Sequence, residues 1–497
     1  MNQPNILFIV ADALRARNLG CYGYCKNTSP NIDKLADEGV VFENAFSCST
    51  YTYPSLTSIF TGKYPRSHGV MTQIATPRQA PRSQLLGQTL QRLNESQSIF
   101  LAEVLKSKGY ATAAVDWVGR WTKRGFDYYS GDVTSASQKL SPYLLAFYRI
   151  VDKHLHLPNK IVQSLIGFRR QSRKLKVHGS AVTREAIKLI RELHKKSFFL
   201  FLHYWDTHTI YDPPRYSTDK FQDYGQYDNL GLGEISSPST MERLRKRVLP
   251  ELKTVGEVLA RYDGAISFVD EEFGRLIKVL ESWGISDNTL IILTSDHGES
   301  LTEHGIYFSH HGLYDVTIQV PLIVRYQGLP KGKRIRSLVQ HIDILPTMLN
   351  ILNISGRSLS LDGSSLIPLM YDKAGRWRKA VYIEESEVEQ KAAIRTESYK
   401  YIRSPSAKQA LCKECGLIHG GVEELYDLTQ DPEETVNVAE DKPRQVQKLK
   451  SRLLRFLSQY GVKKSLEPSD ERKRSEDSSP EEERMILKRL RALGYMD

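Results

Sequence analysis

The chain has 497 residues, with 69 Lys and Arg against 58 Asp and Glu and a formal net charge of +11. That length suits one large domain with a smaller companion rather than a string of modules. No apolar run reaches the roughly 18 to 20 residues that span a bilayer, and the opening MNQPNILFIVADALRAR has no basic region ahead of its apolar one, so a cytoplasmic protein is expected.

The positive charge permits attraction to anionic substrates, nucleic acid or lipid, but it is local. Fourteen Lys or Arg between Lys139 and Lys196 face only Asp152, Glu185 and Glu192 there, and no specific nucleic-acid binding is expected.

Asn5 to Val10 is a short apolar, β-branched run that reads as a buried strand. Asp12 follows it, where parallel sheets present ligands. It is a metal-ligand candidate, but an aspartate after a strand is as often a turn former, so it counts only with partners. Ser29 to Gly39 reads as a capped helix closed by glycine. In SCSTYTYPSLTSIFTGKYPRSHGV (47–70), Thr52 stands at a helix mouth, with Pro54 suited to the first helical position and Gly62 as the stop. Backbone N–H groups at such an end favour phosphate, sulfate or a developing alkoxide, although most Thr-x-Pro-Ser strings are plain caps.

The polar stretch Thr72 to Ser98 reads as surface loop, Phe100 to Lys108 as an amphipathic helix and Tyr110 to Val118 as the next strand. From Ser130 to about Ser180 aromatic and basic residues suggest an inserted helical lid or a membrane-surface patch. Peripheral lipid contact through 160–176 stands against a solvated basic helix face. Val182 to His194 is a helix leading into the strand Ser197 to Leu202, which delivers His203, Asp206 and His208. Two histidines and an acid exceed the needs of packing, and His203 is placed with hydrogen-bonded structural histidines.

A long helix is expected from about Glu251 to Trp283. Thr289 to Thr294, the most strand-like run, ends in Asp296-His297, a hard oxygen beside an imidazole nitrogen that suits zinc or manganese. His304, His310 and His311 follow, then a strand from Val320 to Val324. Alternating strands and helices indicate an α/β domain with a largely parallel sheet over 1–370.

Shorter β-like runs at Ala380 to Glu384, Ala392 to Thr396, Tyr399 to Arg403 and Glu424 to Leu428, then a helix from Gln445 to Tyr460, indicate a smaller antiparallel subdomain over 371–460. A flexible linker and terminal helix are read over 461–497. The five cysteines are odd in number and few, as suits reduced thiols. Cys412-Lys-Glu-Cys415 is half of a zinc pattern; with no second Cys or His pair at finger spacing, it reads as a loop with two idle thiols.

Taken together, these residues carry a resemblance. The chain resembles the sulfatase family of the alkaline phosphatase superfamily over nearly its whole length. The likeness runs through PNILFIVAD at 4–12, Ser29-Pro-Asn-Ile-Asp33, Pro54-Ser55, Thr61-Gly62 and Asp206-Thr-His208, then TSDHGE at 294–299, Asp343-Ile-Leu-Pro-Thr347 and ELYDL at 424–428. It implies an alkaline-phosphatase-like α/β fold, a mixed, largely parallel sheet between helices with a smaller C-terminal antiparallel α+β subdomain.

Four departures cluster in one pocket. Thr52 stands where the family carries a cysteine matured to formylglycine, and Leu56 where it carries arginine. Ala13 replaces the second of its paired aspartates, and Trp117-Val-Gly119 replaces its sulfate-binding lysine and histidine. The altered pocket resembles the superfamily's threonine-nucleophile branch of phosphodiesterases, nucleotide pyrophosphatases and phosphoethanolamine-type transferases.

That likeness implies that Asp12, Asp296, His297 and the Thr52 oxygen surround a divalent metal, zinc or manganese before calcium. Thr52 and His208 would be catalytic. Arg15, His208 and His311 would bind substrate, with His310 as the fallback for His311. The implied activity is metal-dependent hydrolysis of phosphate esters, diesters foremost, on a small-molecule or lipid-linked anionic substrate. The alternatives are a sulfatase-type hydrolase of sulfate or phosphonate esters without formylglycine, a phosphoethanolamine-type transferase, and a non-catalytic metal-dependent binder of anionic glycans or lipids. The oligomeric state is not encoded in any motif.

Overall fold

A computed structural model describes residues 3–73, 82–116, 118–130, 178–235, 250–357 and 359–460. The basic stretch including 160–176, Trp117, and the expected linker and terminal helix at 461–497 lie outside the described residues.

The centre is an eight-stranded sheet. Its strands are β1 (Asn5–Ala11), β2 (Val40–Phe42), β3 (Ala111–Val115), β4 (Tyr128–Ser130), β5 (Phe198–Tyr204), β6 (Thr289–Thr294), β7 (Leu322–Arg325) and β8 (Lys333–Ile335). They lie in the order β4-β3-β5-β1-β6-β7-β2-β8. β1 pairs in parallel with both β5 and β6, and only β7 runs against its neighbours β6 and β2. The sheet is therefore mixed and largely parallel.

The longer helices are α1 (Pro30–Glu38), α2 (Thr52–Thr61), α3 (Arg82–Glu95), α4 (Leu101–Ser107), α5 (Gly179–Leu193), α6 (Val255–Ser282), α7 (Ile344–Ile351) and α8 (Pro443–Gln459). Because side chains alternate along a strand, Ile6, Phe8 and Val10 of β1 pack with Leu56, Ile59 and Phe60 of α2. Leu7, Ile9 and Ala11 pack on the other face with Leu189 of α5 and Ile266 and Phe273 of α6. The result is helix, sheet, helix, with both faces of β1 buried.

A second, four-stranded sheet joins β9 (Val381–Glu385), β10 (Lys391–Arg395), β11 (Tyr399–Arg403) and β12 (Glu423–Asp427) in sequential antiparallel order. One face packs on α8 through Leu449 and Leu453; the other meets Leu313, Tyr314 and Ile318.

Several expectations shift. Thr72 to Ser98 contains α3 rather than loop alone. α6 starts at Val255, where Thr254 and Glu257 form a reciprocal capping box. α2 starts at Thr52, which makes Pro54 its third residue. The start of α1 is capped from outside: Asn31 and Ile32 donate their N–H groups to Asp270 of α6, at 3.0 and 2.8 Å, while Ser29 makes no side-chain cap. Gly39 ends α1 in extended backbone, and a Cβ there would meet the Val324 carbonyl at 2.6 Å, so close strand approach requires the glycine. Among the described residues, no helix is long and apolar enough to cross a membrane.

Candidate active site

β1, β5 and β6 are neighbours and parallel, so their carboxyl ends open at one edge of the sheet. Asp12 follows β1, His203 lies near the end of β5, and Asp296-His297 follows β6. The end of β1 is fixed on both sides. The Asp12 N–H donates to the Tyr204 carbonyl at 2.8 Å, Thr207 donates its hydroxyl to the Asp12 carbonyl at 2.6 Å, and the Leu14 N–H donates to Ser295 Oγ at 2.9 Å.

The side chains converge. His297 Nε2 lies 3.5 Å from both Asp12 Oδ1 and Asp296 Oδ2, and His203 Nε2 lies 3.6 Å from Asp12 Oδ2. Asp12, His203 and Asp296 each bring a ligand atom within 4.8 Å of the others, and all are buried. Thr52 opens α2, and the preceding Tyr51 sets its ring edge against His310, centroids 4.8 Å apart. His310 stacks on His297 at 4.4 Å and faces His208 at 5.3 Å. His208 in turn stacks on Trp205 at 5.1 Å.

Proton positions test whether these residues fit a cation. His297 Nδ1 is 2.8 Å from the Gly298 carbonyl, which can only accept, so Nδ1 carries the proton and Nε2 the lone pair. His203 Nδ1 is 2.9 Å from Asp116 Oδ1, which likewise turns an Nε2 lone pair toward Asp12. Lone pairs and carboxylates at such separations repel unless a cation or a proton lies among them. Asp296 Oδ2 and Thr52 Oγ1 are buried and make no hydrogen bond among the described residues. Two carboxylates with two imidazole nitrogens fit zinc or manganese better than calcium, which prefers an all-oxygen shell.

The expected substrate ligands separate. Consecutive residues of an extended segment point to opposite sides, so one of His310 and His311 faces the site. It is His310, against the expectation for His311: His311 turns its Nε2 to Cys412 Sγ at 3.5 Å. Arg15 is buried and paired with Glu303 at 2.6 Å, so much of its charge is already answered.

The sequence places His203 with structural histidines; in the structure it joins Asp12 and Asp296 in a cluster that could hold a metal ion. Its signal was strand parity: Phe199 and Phe201 share the α2 face of the sheet, and His203 is next in that series. Asp116, which orients it, comes from beyond β3 and had no signal of its own. His341 was also missed. Burial pushes it down to about 4, and its neutral ring donates Nε2–H to the Ser295 carbonyl at 2.9 Å, steadying the turn that carries Asp296.

A largely parallel sheet whose central strands end in carboxylates and imidazoles beside a buried helix start is an α/β fold of alkaline-phosphatase-like architecture. The chain belongs to the sulfatase family, and is thereby an ester hydrolase. Residues 4–354 match the sulfatase family, and residues 302–461 match the family described as N-sulphoglucosamine sulphohydrolase, C-terminal. Similar proteins include an N-acetylglucosamine-6-O-sulfatase of Bacteroides thetaiotaomicron, 25% identical over 88% of this chain and 82% of that one. An arylsulfatase of Clostridium perfringens is 24% identical over 88% of this chain and 90% of its own. In fold, the chain is similar to a phosphonate monoester hydrolase of Agrobacterium radiobacter, with a TM-score of 0.65 and 20% identity over 92% of this chain and 96% of that one.

Proposed function

We propose that this sulfatase-family hydrolase cleaves phosphate esters, diesters in preference, through the Thr52 oxygen. The observation that carries the reading is a buried hydroxyl with no hydrogen bond among the described residues at the start of α2, on a chain whose family uses formylglycine there. Asp12, His203, Asp296 and His297 would hold a divalent ion, zinc or manganese. When bound, such an ion lowers the pKa of a hydroxyl and offsets charge on a phosphoryl oxygen.

The chain's own groups supply the rest. Thr52 Oγ1 attacks phosphorus in line, forming a P–O bond as the ester P–O bond breaks, with little help from the backbone of α2, where the Tyr53 N–H already donates to Gln73 Oε1 at 2.7 Å and Pro54 has no N–H. The proton lost by Thr52 balances the one gained by the departing alcohol, and His208 or His310 would carry it. Water then cleaves the phosphothreonine. The substrate is a small or lipid-linked anionic ester, and a cytoplasmic location accords with five free cysteines among the described residues.

A sulfate or phosphonate ester is the second reading, favoured by relatives that are sulfatases and by the fold likeness to a phosphonate monoester hydrolase. The metal-loaded enzyme, assayed on matched aryl phosphodiester and aryl sulfate, should favour the diester by at least about tenfold in kcat/KM, about 1.4 kcal/mol of barrier. Equal or faster sulfate cleavage overturns the preference. Thr52→Ala should abolish turnover and any trapped phosphoenzyme, whereas Thr52→Ser keeps a measurable rate; full activity in Thr52→Ala removes Thr52 from the chemistry.

A further inference from the structure

The loop that follows β11 folds back against the segment that carries His304, His310 and His311. Within it, the Gly416 N–H donates to the Cys412 carbonyl at 2.9 Å, closing a turn that Gly416 permits with φ +75°, and Cys412 and Cys415 meet across that turn. The missing half of the expected zinc pattern is supplied from elsewhere. His419 Nε2 lies 3.1 Å from Cys415 Sγ, and His311 Nε2 lies 3.5 Å from Cys412 Sγ. The atoms that all lie within 4.8 Å of one another belong to His311, Cys412, His419 and the buried Glu389, and Cys415 joins this group through His419.

The imidazoles are held as ligands are held. His419 Nδ1 is 3.3 Å from the His304 carbonyl, so its proton sits there and the Nε2 lone pair faces sulfur. His311 Nδ1 is 2.9 Å from Ser309 Oγ, with the Glu414 carboxylate at 3.7 Å. Partners of this kind fix ring orientation and raise basicity around bound metals. A sulfur and a nitrogen on one tetrahedral zinc, at about 2.3 and 2.0 to 2.1 Å from it, stand about 3.5 Å apart, which matches the Cys412 to His311 separation.

We propose that Cys412, Cys415, His311 and His419 form a tetrahedral site for a soft divalent cation of the zinc type, separate from the carboxylate-containing cluster at Asp12. Two thiolates neutralise the dication, and Glu389, ion-paired with Lys391 at 3.3 Å, stays outside the shell. The site ties the 412–419 loop to the segment that carries His310 and His311. His311 adjoins His310, and Tyr51, next to Thr52, packs both on Cys412 and against His310.

The test uses the full chain purified with zinc and counts bound metal by mass spectrometry. The Cys412→Ser/Cys415→Ser double variant should hold one equivalent less than wild type, while Asp296→Asn keeps the thiolate-bound ion. Cobalt-substituted wild type and Asp296→Asn should both show a thiolate-to-cobalt charge-transfer band, and the double variant should lack it. A thiol-specific mercurial should release one equivalent of zinc from wild type, a measurement that stands even if the double variant does not fold. A cobalt-loaded wild type without the band, or no zinc released by the mercurial, overturns the site. Equal loss of metal in Glu389→Gln overturns the assignment of four Cys and His ligands.

Discussion

Asp116, His203 and Asp12 form a relay of fixed orientation: carboxylate to Nδ1 at 2.9 Å, then Nε2 to carboxylate at 3.6 Å. Because Asp116 decides which nitrogen carries the proton, Asp116→Asn should weaken zinc binding at the Asp12 cluster by about 10- to 100-fold, read by titration of metal-stripped protein. Unchanged affinity would return His203 to a packing role. Asp12 and Asp296-His297 were legible in the sequence because they stand just past apolar strands, where function is expected. His203 was not, because it lies inside its strand and its meaning depends on an acid from a different one. The His310-His311 pair could not be resolved by sequence at all, since adjacent residues in a loop differ only in the side they take.

Among the elements, those with strong periodicity were read nearly to the residue: β6 spans Thr289–Thr294 as expected, and β11 spans Tyr399–Arg403. α3 carries a helical stripe, Leu86, Leu90 and Leu93 at i, i+4 and i+7, which the Gln- and Arg-rich residues around it mask in a reading by composition. Apolar spacing alone starts α6 at about Glu251, whereas the Thr254-x-x-Glu257 capping box sets its start at Val255. That signature has a measurable weight. Thr254→Ala removes an acceptor from the Glu257 N–H and should lower stability by about 1 kcal/mol, seen as a lower urea midpoint with unchanged slope. No shift would mean that packing of α6 on the sheet fixes its start without help. The cap of α1, by contrast, lay beyond any local reading, since Asp270 is 239 positions from Asn31.

For the whole molecule, the C-terminal sheet is fastened to the catalytic domain by buried charge as well as by apolar contact. Lys400 of β11 reaches Asp315 and Glu434, each at 2.5 Å, and Arg395 of β10 reaches Asp315 at 3.3 Å. Removing one partner of such a group strands the others away from water. Lys400→Met should therefore destabilise the protein by about 3 to 5 kcal/mol and lower its thermal midpoint, as scanning calorimetry would measure. A change under about 1 kcal/mol would show that water reaches the acids. The sequence announced a small antiparallel unit by its change of strand length, but not this fastening, whose partners are scattered along the chain.

The two histidines at 310 and 311 look in opposite directions across a single peptide bond, one ring against His297 and the other against Cys412. That places a limit on remodelling. An insertion or deletion of one residue on either side of the pair would exchange their directions, so lengthening this loop to admit a bulkier ester would disturb the thiol cluster with the same edit.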